Sequence, residues 1–484
     1  MAGGKGSRWR RYSKVTPKVL LKVADCSIIE RNIEIARDKL KKKEVHIILG
    51  HYADEIKSYL EEKPNLGINI IYHQVEIDQV EKGLVYSLIK FRQHINKYFM
   101  ILLGDEIYFY SDHDKMMEEM LKRDEFDIYC MIRKSNFPDE VLRNYAVETS
   151  EDKITYIEEK PEKAENRFAG LGSIACSSKV LDLIETDINQ PNPKHFIDLL
   201  NEGVNKNFKA YYFLTKCDYY NINNKNDFFM AKYSYRANRS DDWKKSAIIP
   251  AYNEAETIGH VVIDIKPYVD EVIVMDNQSP DGTAEVARKA GATVISRHLK
   301  GYGDAIRQGM EEASGDIIII TEADMTFRAK DLPKLLEYLM DADAVIGTRT
   351  NRNFIHDQAN MNWLLRLGNI LMGKIISILW WDHQCRLSDV GCTYRALWRS
   401  SYYEIRENLK GDGPELSPEM IVELLNSYLR LVEIPVHYHE RALGESKISI
   451  SKWHSILVAF RMLKCILSKR WGKWVKNFIF TIKD

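Results

Sequence analysis

Short runs of consecutive apolar residues recur along the chain, separated by longer stretches in which apolar residues return every three or four positions. The runs have the length of buried strands and the stretches that of amphipathic helices. In the first half, residues 44–49, 68–72, 99–103 and 127–132 read as strands, with 28–42 among the helices between them. From 231 to 245 aromatic, polar and charged residues follow without a period, and a linker is expected there. The alternation then restarts, with strands at 246–249, 271–275, 292–296, 316–321 and 343–346 and helices at 254–267, 283–290, 304–313 and 331–339. Such alternation predicts an α/β fold with parallel sheets flanked by helices, here as two tandem Rossmann-like nucleotide-binding domains over 1–230 and 246–450, followed by a tail at 451–484.

Composition narrows the classes. At 484 residues, 45% apolar and 29% charged, the chain can bury two cores and is neither disordered nor collagen-like. Sixty-nine basic against seventy acidic side chains give a net charge of -1, which excludes a global basic field for nucleic acid. The seven cysteines are scattered and form no CxxC pair, against a disulfide framework or a zinc site. A reducing, cytoplasmic compartment is expected. Neither a secretory leader nor an apolar run of spanning length is evident.

Chemistry is first suggested at the start, where Ala2-Gly3-Gly4-Lys5-Gly6-Ser7-Arg8 is followed by Pro17 and Lys18. Glycines let backbone N–H groups approach phosphate oxygens, and Arg8 and Lys18 add positive charge. This pattern resembles the sugar nucleotidyltransferases, which join a sugar 1-phosphate to a nucleoside triphosphate. The resemblance continues through Gly104-Asp105, Glu159-Lys160-Pro161 and Gly170-Leu171-Gly172. It implies a nucleotidyltransferase fold, Arg8 and Lys18 as catalytic cations, and Gly3, Gly4, Gly6, Gly83, Glu159, Lys160 and Gly170 as substrate contacts. Asp105 and the residue at 221 would then hold Mg2+ or Mn2+.

Three departures stand out. Asn221 offers a neutral oxygen where the family has a second metal aspartate, and Tyr145-Ala146 replaces a glycine beside the sugar. Only Met1 precedes Ala2, so the strand that anchors such a loop is missing from the sequence, and Met1 is expected to be an internal methionine.

In the second half, each expected strand ends in polar residues: Pro250-Ala251-Tyr252-Asn253-Glu254, then Asp276-Asn277-Gln278-Ser279, then Glu322-Ala323-Asp324, with Lys300-Gly301-Tyr302-Gly303 opening a helix. Strand C-terminal ends are where α/β sheets bind ligands. Ser388-Asp389-Val390-Gly391-Cys392-Thr393-Tyr394-Arg395, Pro418-Glu419-Met420 and Arg441 with Gly444-Glu445-Ser446-Lys447 follow. The series resembles the family 2 glycosyltransferases, most of all the dolichol-phosphate mannose synthase branch, and implies a GT-A fold. By that resemblance Pro250, Tyr252, Glu254, Asp276, Lys300, Gly301, Arg395, Arg441 and Lys447 contact substrate. Glu322 and Asp324 take the Mg2+ or Mn2+, and Asp324, Asp389 and Glu419 are the catalytic candidates, the last two as bases if the acceptor is a hydroxyl.

The tail carries eight basic side chains and one acid, a net of +7. On a helix over 456–467, Arg461 and Lys464 form a polar stripe beside Leu457, Phe460 and Leu463; residues 363–381 repeat the design. Such helices suit a membrane interface. Together these readings describe a bifunctional enzyme of cell envelope polysaccharide biosynthesis on the inner face of the membrane. It would make a nucleotide sugar from a sugar 1-phosphate and a nucleoside triphosphate, then pass the sugar with inversion to a polyprenyl-phosphate or glycan acceptor. The alternative is a single-activity glycosyltransferase with an inactive or regulatory first domain. A scaffold of two degenerate folds, or a first domain acting on a phosphorylated alcohol, stays open.

Overall fold

The computed structural model describes residues 17–483 except 24–25, 64–65, 76–82, 96, 136–137, 164–167, 189–193, 357–358, 360–362, 384 and 443–451; for 363–365, 452–455 and 473–483 it describes the backbone alone. Gly3, Gly4, Gly6, Arg8 and Lys447 lie outside the described residues. The chain divides into two compact units, Met1–Ala231 and Lys232–Asp484.

The first unit holds strands β1 (Lys22–Val23), β2 (Cys26–Ser27), β3 (Glu44–Leu49), β4 (Asn69–Gln74), β5 (Tyr98–Leu102), β6 (Glu106–Phe109), β7 (Ile128–Arg133), β8 (Tyr145–Ser150), β9 (Lys153–Glu159), β10 (Phe168–Ser177), β11 (Ala210–Leu214) and β12 (Asp218–Asn221). Its main sheet has the order β5-β10-β7-β11-β9-β8. The sheet is mixed rather than parallel. β7 and β11 run parallel, while β10 runs antiparallel to β5, β7 and β8. β8 and β9 are joined by a turn too short for a crossover, so they too pair antiparallel. β6 and β12 form a separate antiparallel ribbon, and β3 pairs with β4 in parallel. Helix Ile28–Glu34 starts at a capping box in which Ser27 and Glu30 satisfy each other's backbone amides.

The second unit contains β13 (Lys245–Ala251), β14 (Glu271–Asp276), β15 (Thr293–Ser296), β16 (Ile317–Ile320), β17 (Ala344–Thr348), β18 (Arg395–Trp398) and β19 (Leu431–Pro435) in one sheet of order β15-β14-β13-β16-β18-β17-β19. β15, β14, β13 and β16 are mutually parallel, as the alternation predicts. β18, inside the segment read as an acceptor motif, runs antiparallel to β16 and β17. The sheet is covered on both faces, so β16 is four isoleucines without alternation, all buried. Burying each stabilises the fold by roughly 1.5–3 kcal/mol.

The stretch expected as a linker instead carries part of a helix, Lys225–Ala237. Its period is obscured because Lys232 and Arg236 face inward, against Asp343 at 2.6 and 2.9 Å. Burial opposes the Asp343 charge, yet the two cations outweigh it and hold its pKa below the usual carboxylate range. Removing one partner of such a cluster strands buried charge. Asp343→Ala is therefore expected to lower unfolding free energy by about 3 kcal/mol or more, read from the denaturant midpoint of the transition.

Candidate active sites

In the first unit, the chain leaves β5 through Leu103-Gly104 and presents Asp105 just before β6. Lys18 Nζ lies 2.8 Å from Asp105 Oδ2. The β6–β12 ladder sets Asn221 opposite Glu106, and the amide of Ile222 donates to the Asp105 carbonyl at 2.9 Å. Two residues 116 positions apart are thereby neighbours. Asn221 Nδ2 donates to Asn144 Oδ1 at 3.0 Å, while its own Oδ1 is buried with no partner among the described residues. An orphaned neutral oxygen beside an aspartate is a donor set that fits a hard divalent cation.

Behind Asp105 stands Glu106, accepting from Tyr108 Oη at 2.5 Å, Tyr219 Oη at 2.7 Å and the Gly172 amide at 2.9 Å. Burial, with the charge of Asp105 added, pushes its pKa up to about 7. Gly172 is required because a Cβ there would meet this carboxylate at 2.5 Å. Gly170, expected beside a sugar, has its Cβ space filled by the Tyr145 ring, so its small size serves packing. Glu159 closes β9 opposite Tyr145, and burial raises its pKa. Lys160 donates its amide to Asn144 while its ammonium is 72% exposed, 3.7 Å from Glu159. Gly83, at φ 89°, opens helix Leu84–Lys90.

In the second unit, β13 lies between β14 and β16, whose connections leave toward opposite sides, a topological switch point. Pro250 lies at the end of β13 and Tyr252 just beyond it, and Asp276 ends β14 in register with Ala251. Asp324 follows β16 and Glu254 follows β13; Arg441 lies between the two acids, paired to Glu254 and 3.8 Å from Asp324 Oδ2. Asp324 Oδ1 is taken by the Thr326 amide at 3.1 Å and hydroxyl at 2.6 Å. Glu322 accepts hydroxyls from Thr393 at 2.7 Å and Thr326 at 3.2 Å, and burial together with the Asp324 charge pushes its pKa up to about 7. No group of three or more His, Cys, Asp or Glu able to hold a metal occurs among the described residues. Asp324 is the acid here that would hold a cation, and such an ion would supply charge neutralisation to phosphate oxygens.

Four expected site residues, two of them catalytic candidates, have other tasks. Asp389 is fully buried, and Arg349 binds both its oxygens at 2.8 and 3.0 Å. Burial works against its charge but Arg349 prevails and lowers its pKa, so it is not poised as a base. Glu419, also buried, accepts the amides of Lys410 and Gly411 and pairs with Lys469 at 2.8 Å. Arg395 spends its guanidinium on the carbonyls of Cys392, Ser417 and Val390. Asp276 is 1% exposed and holds the Ser279 amide and Ser296 hydroxyl, which makes it a turn former. Lys300 is exposed, and Gly301 packs on the Asp412 carbonyl, where a Cβ would stand at 2.5 Å.

The two halves match different family models: Nucleotidyl transferase over residues 1–244, and Glycosyl transferase family 2 over 246–402. The chain belongs to both families, one in each half. The glycosyltransferase half is 33% identical over 204 residues to glycosyltransferase AglJ of Haloferax volcanii, covering 41% of this chain and 63% of that protein. It is 31% identical over 207 residues to a dolichyl-phosphate hexose transferase of the same organism, covering 42% of this chain and 86% of that one. Among solved structures, a UDP-glucose pyrophosphorylase complexed with UDP-glucose aligns at a TM-score of 0.43 and 18% identity over 49% of this chain and 97% of its own.

Sequence reading missed Arg349, which reaches the glycosyltransferase site from the end of β17 and acts electrostatically on Glu322. The signal was present, since Arg349 directly follows a core strand as the other site segments do. It also missed Glu106 and Asn144, whose partners are distant in sequence. Because folded Glu106 keeps its proton up to about pH 7 and the unfolded chain loses it near 4.5, folding takes up a proton between those values. Stability from this group therefore falls as pH rises across that window. Thermal midpoints measured across it should shift in favour of Glu106→Gln, relative to the unsubstituted chain, as pH increases.

Proposed function

We propose that the chain is a bifunctional enzyme. Its nucleotidyl transferase half joins a sugar 1-phosphate to a nucleoside triphosphate: a phosphate oxygen of the sugar phosphate attacks the α-phosphorus and pyrophosphate leaves. Lys18, beside Asp105, offsets the repulsion between the two anions. The glycosyltransferase half then passes the sugar to a polyprenyl phosphate. An oxygen of the lipid phosphate attacks the anomeric carbon from the face opposite the departing nucleoside diphosphate, so the configuration inverts.

One observation carries the choice of acceptor. Asp389 and Glu419, the acids available as general bases, are buried and committed to Arg349, Lys469 and backbone amides. A phosphate acceptor is ionised at neutral pH and needs no base, whereas a hydroxyl does. The name of the dolichyl-phosphate hexose transferase relative supports the same class. Asp324, with Glu322 behind it, would hold magnesium or manganese in this half, and Asp105 with Asn221 would do so in the other. A bound cation supplies charge neutralisation at the phosphate oxygens.

Contact with a membrane surface is the reading supported by two helices of the second unit, Trp363–Leu379 and Lys452–Lys483, which pack on each other. The first exposes Leu367, Leu371 and Ile378 along one stripe, and the second exposes Leu457, Phe460 and Trp471 beside Arg461 and Lys464. No helix among the described residues is long and apolar enough to cross a membrane. Apolar stripes with flanking cations suit peripheral contact with anionic lipid, on the cytoplasmic face where nucleotide sugars are made.

A second reading, transfer alone with an inactive first half, is favoured by the neutral side chain of Asn221. Purified protein with a panel of sugar 1-phosphates, each nucleoside triphosphate and magnesium separates the two. Pyrophosphate release that Asp105→Ala abolishes and Asp324→Ala spares supports two activities; no pyrophosphate from any combination leaves the second reading. Asp324→Ala should lower sugar transfer by about a hundredfold or more, measured with a polyprenyl phosphate in vesicles.

A further inference from the structure

The C-terminal helix Lys452–Lys483 lies beyond residue 402, where the family match ends, yet one of its half-buried side chains reaches buried acids of the glycosyltransferase unit. Lys469 Nζ sits between two buried carboxylates, 2.8 Å from Glu419 and 3.0 Å from Glu423, and donates to the Asn408 carbonyl. The other oxygen of Glu419 accepts the amides of Lys410 and Gly411 at 2.9 and 2.7 Å. Those bonds hold the loop 410–413, whose carbonyls abut the glycine segment 300–303. Asp412 O accepts the amides of Gly303 at 2.8 Å and Asp304 at 3.2 Å, and Arg307 pairs with the Asp412 carboxylate. There is no slack in the contact: a Cβ on Gly303 would stand 2.6 Å from Gly411 O and 2.7 Å from Gly413 O. Tyr302, in the middle of the segment, is within electrostatic range of Glu322.

We infer that Lys469 is a positioning residue for the nucleotide-sugar donor. Its ammonium bridges Glu419 and Glu423, which turns one Glu419 oxygen toward the helix and leaves the other to make charge-assisted bonds to the loop amides. The loop in turn fixes the backbone of 300–303 against the diphosphate end of the site. Without that cation, two buried acids are left without their shared partner, and the loop loses its clamp. The inference rests on the reading of residues 300–303 as a donor contact.

The test uses the full chain with manganese and a panel of nucleoside diphosphates, ADP, CDP, GDP and UDP, by calorimetry, the tightest binder serving as probe. Lys469→Met is expected to weaken binding by about tenfold, Lys469→Arg to restore it, and Gly301→Ala, which pushes directly on Asp412, to weaken it at least as much. Unchanged affinity in Lys469→Met with impaired Gly301→Ala overturns the positioning role and leaves the donor site standing. Loss in Lys469→Arg equal to that in Lys469→Met also overturns it, since a retained charge should suffice. If Gly301→Ala binds normally, or no diphosphate binds, the donor reading of the segment fails and takes the inference with it. Should Lys469→Met not fold, the isosteric Glu419→Gln carries the same measurement, and undiminished affinity there is equally decisive against the proposal.

Discussion

Parallel strands buried on both faces leave no room for polar chemistry along their length, and this constraint organises the second unit. β16 is an unbroken row of isoleucines, and β13 and β14 are nearly as apolar. Every group able to meet a phosphate or a cation is therefore expelled to where a strand stops. Because β13, β14 and β16 are parallel neighbours, their ends lie along one edge. The residues after β13 and β16, and Arg349 after β17, are gathered there by core packing as much as by their own interactions.

A second rule sorts the acids of this unit. A carboxylate withdrawn from water keeps its charge only where cations or amide donors replace the lost hydration. Asp343, Asp389 and Glu419 have such partners and serve as anchors: one fixes a helix, one fixes Arg349, one fixes a loop. Asp324 is different, with one oxygen held by Thr326 and the other facing Arg441 at 3.8 Å. Glu322 is longer and folds back onto the Thr326 and Thr393 hydroxyls, so the two acids of the pair point to different partners.

The first unit solves the same problem with a mixed sheet and a separate ribbon. Pairing β6 with β12 brings Asn221 beside Asp105, and the buried Glu106 ties that ribbon to β10 through the Gly172 amide. Tyr145 occupies space that an open pocket would leave beside Gly170, which makes this region tighter and more aromatic than its glycines suggest.

The parallel half of the fold was legible in the chain because buried strands write themselves as apolar runs; strands such as 271–276 and helices such as 283–290 stand almost where the pattern puts them. The motifs at strand ends, and the family of each half, were equally readable, since they depend on local order along the chain. What the chain alone did not reveal was which charged residues look outward. Asp389, Arg395 and Glu419 sit inside motifs yet are consumed by partners up to 50 residues away, and Lys232 and Arg236 look like linker residues until Asp343 is seen beneath them. Pairing across such separations is set by how elements pack, because only packing removes the water that would otherwise satisfy each charge by itself.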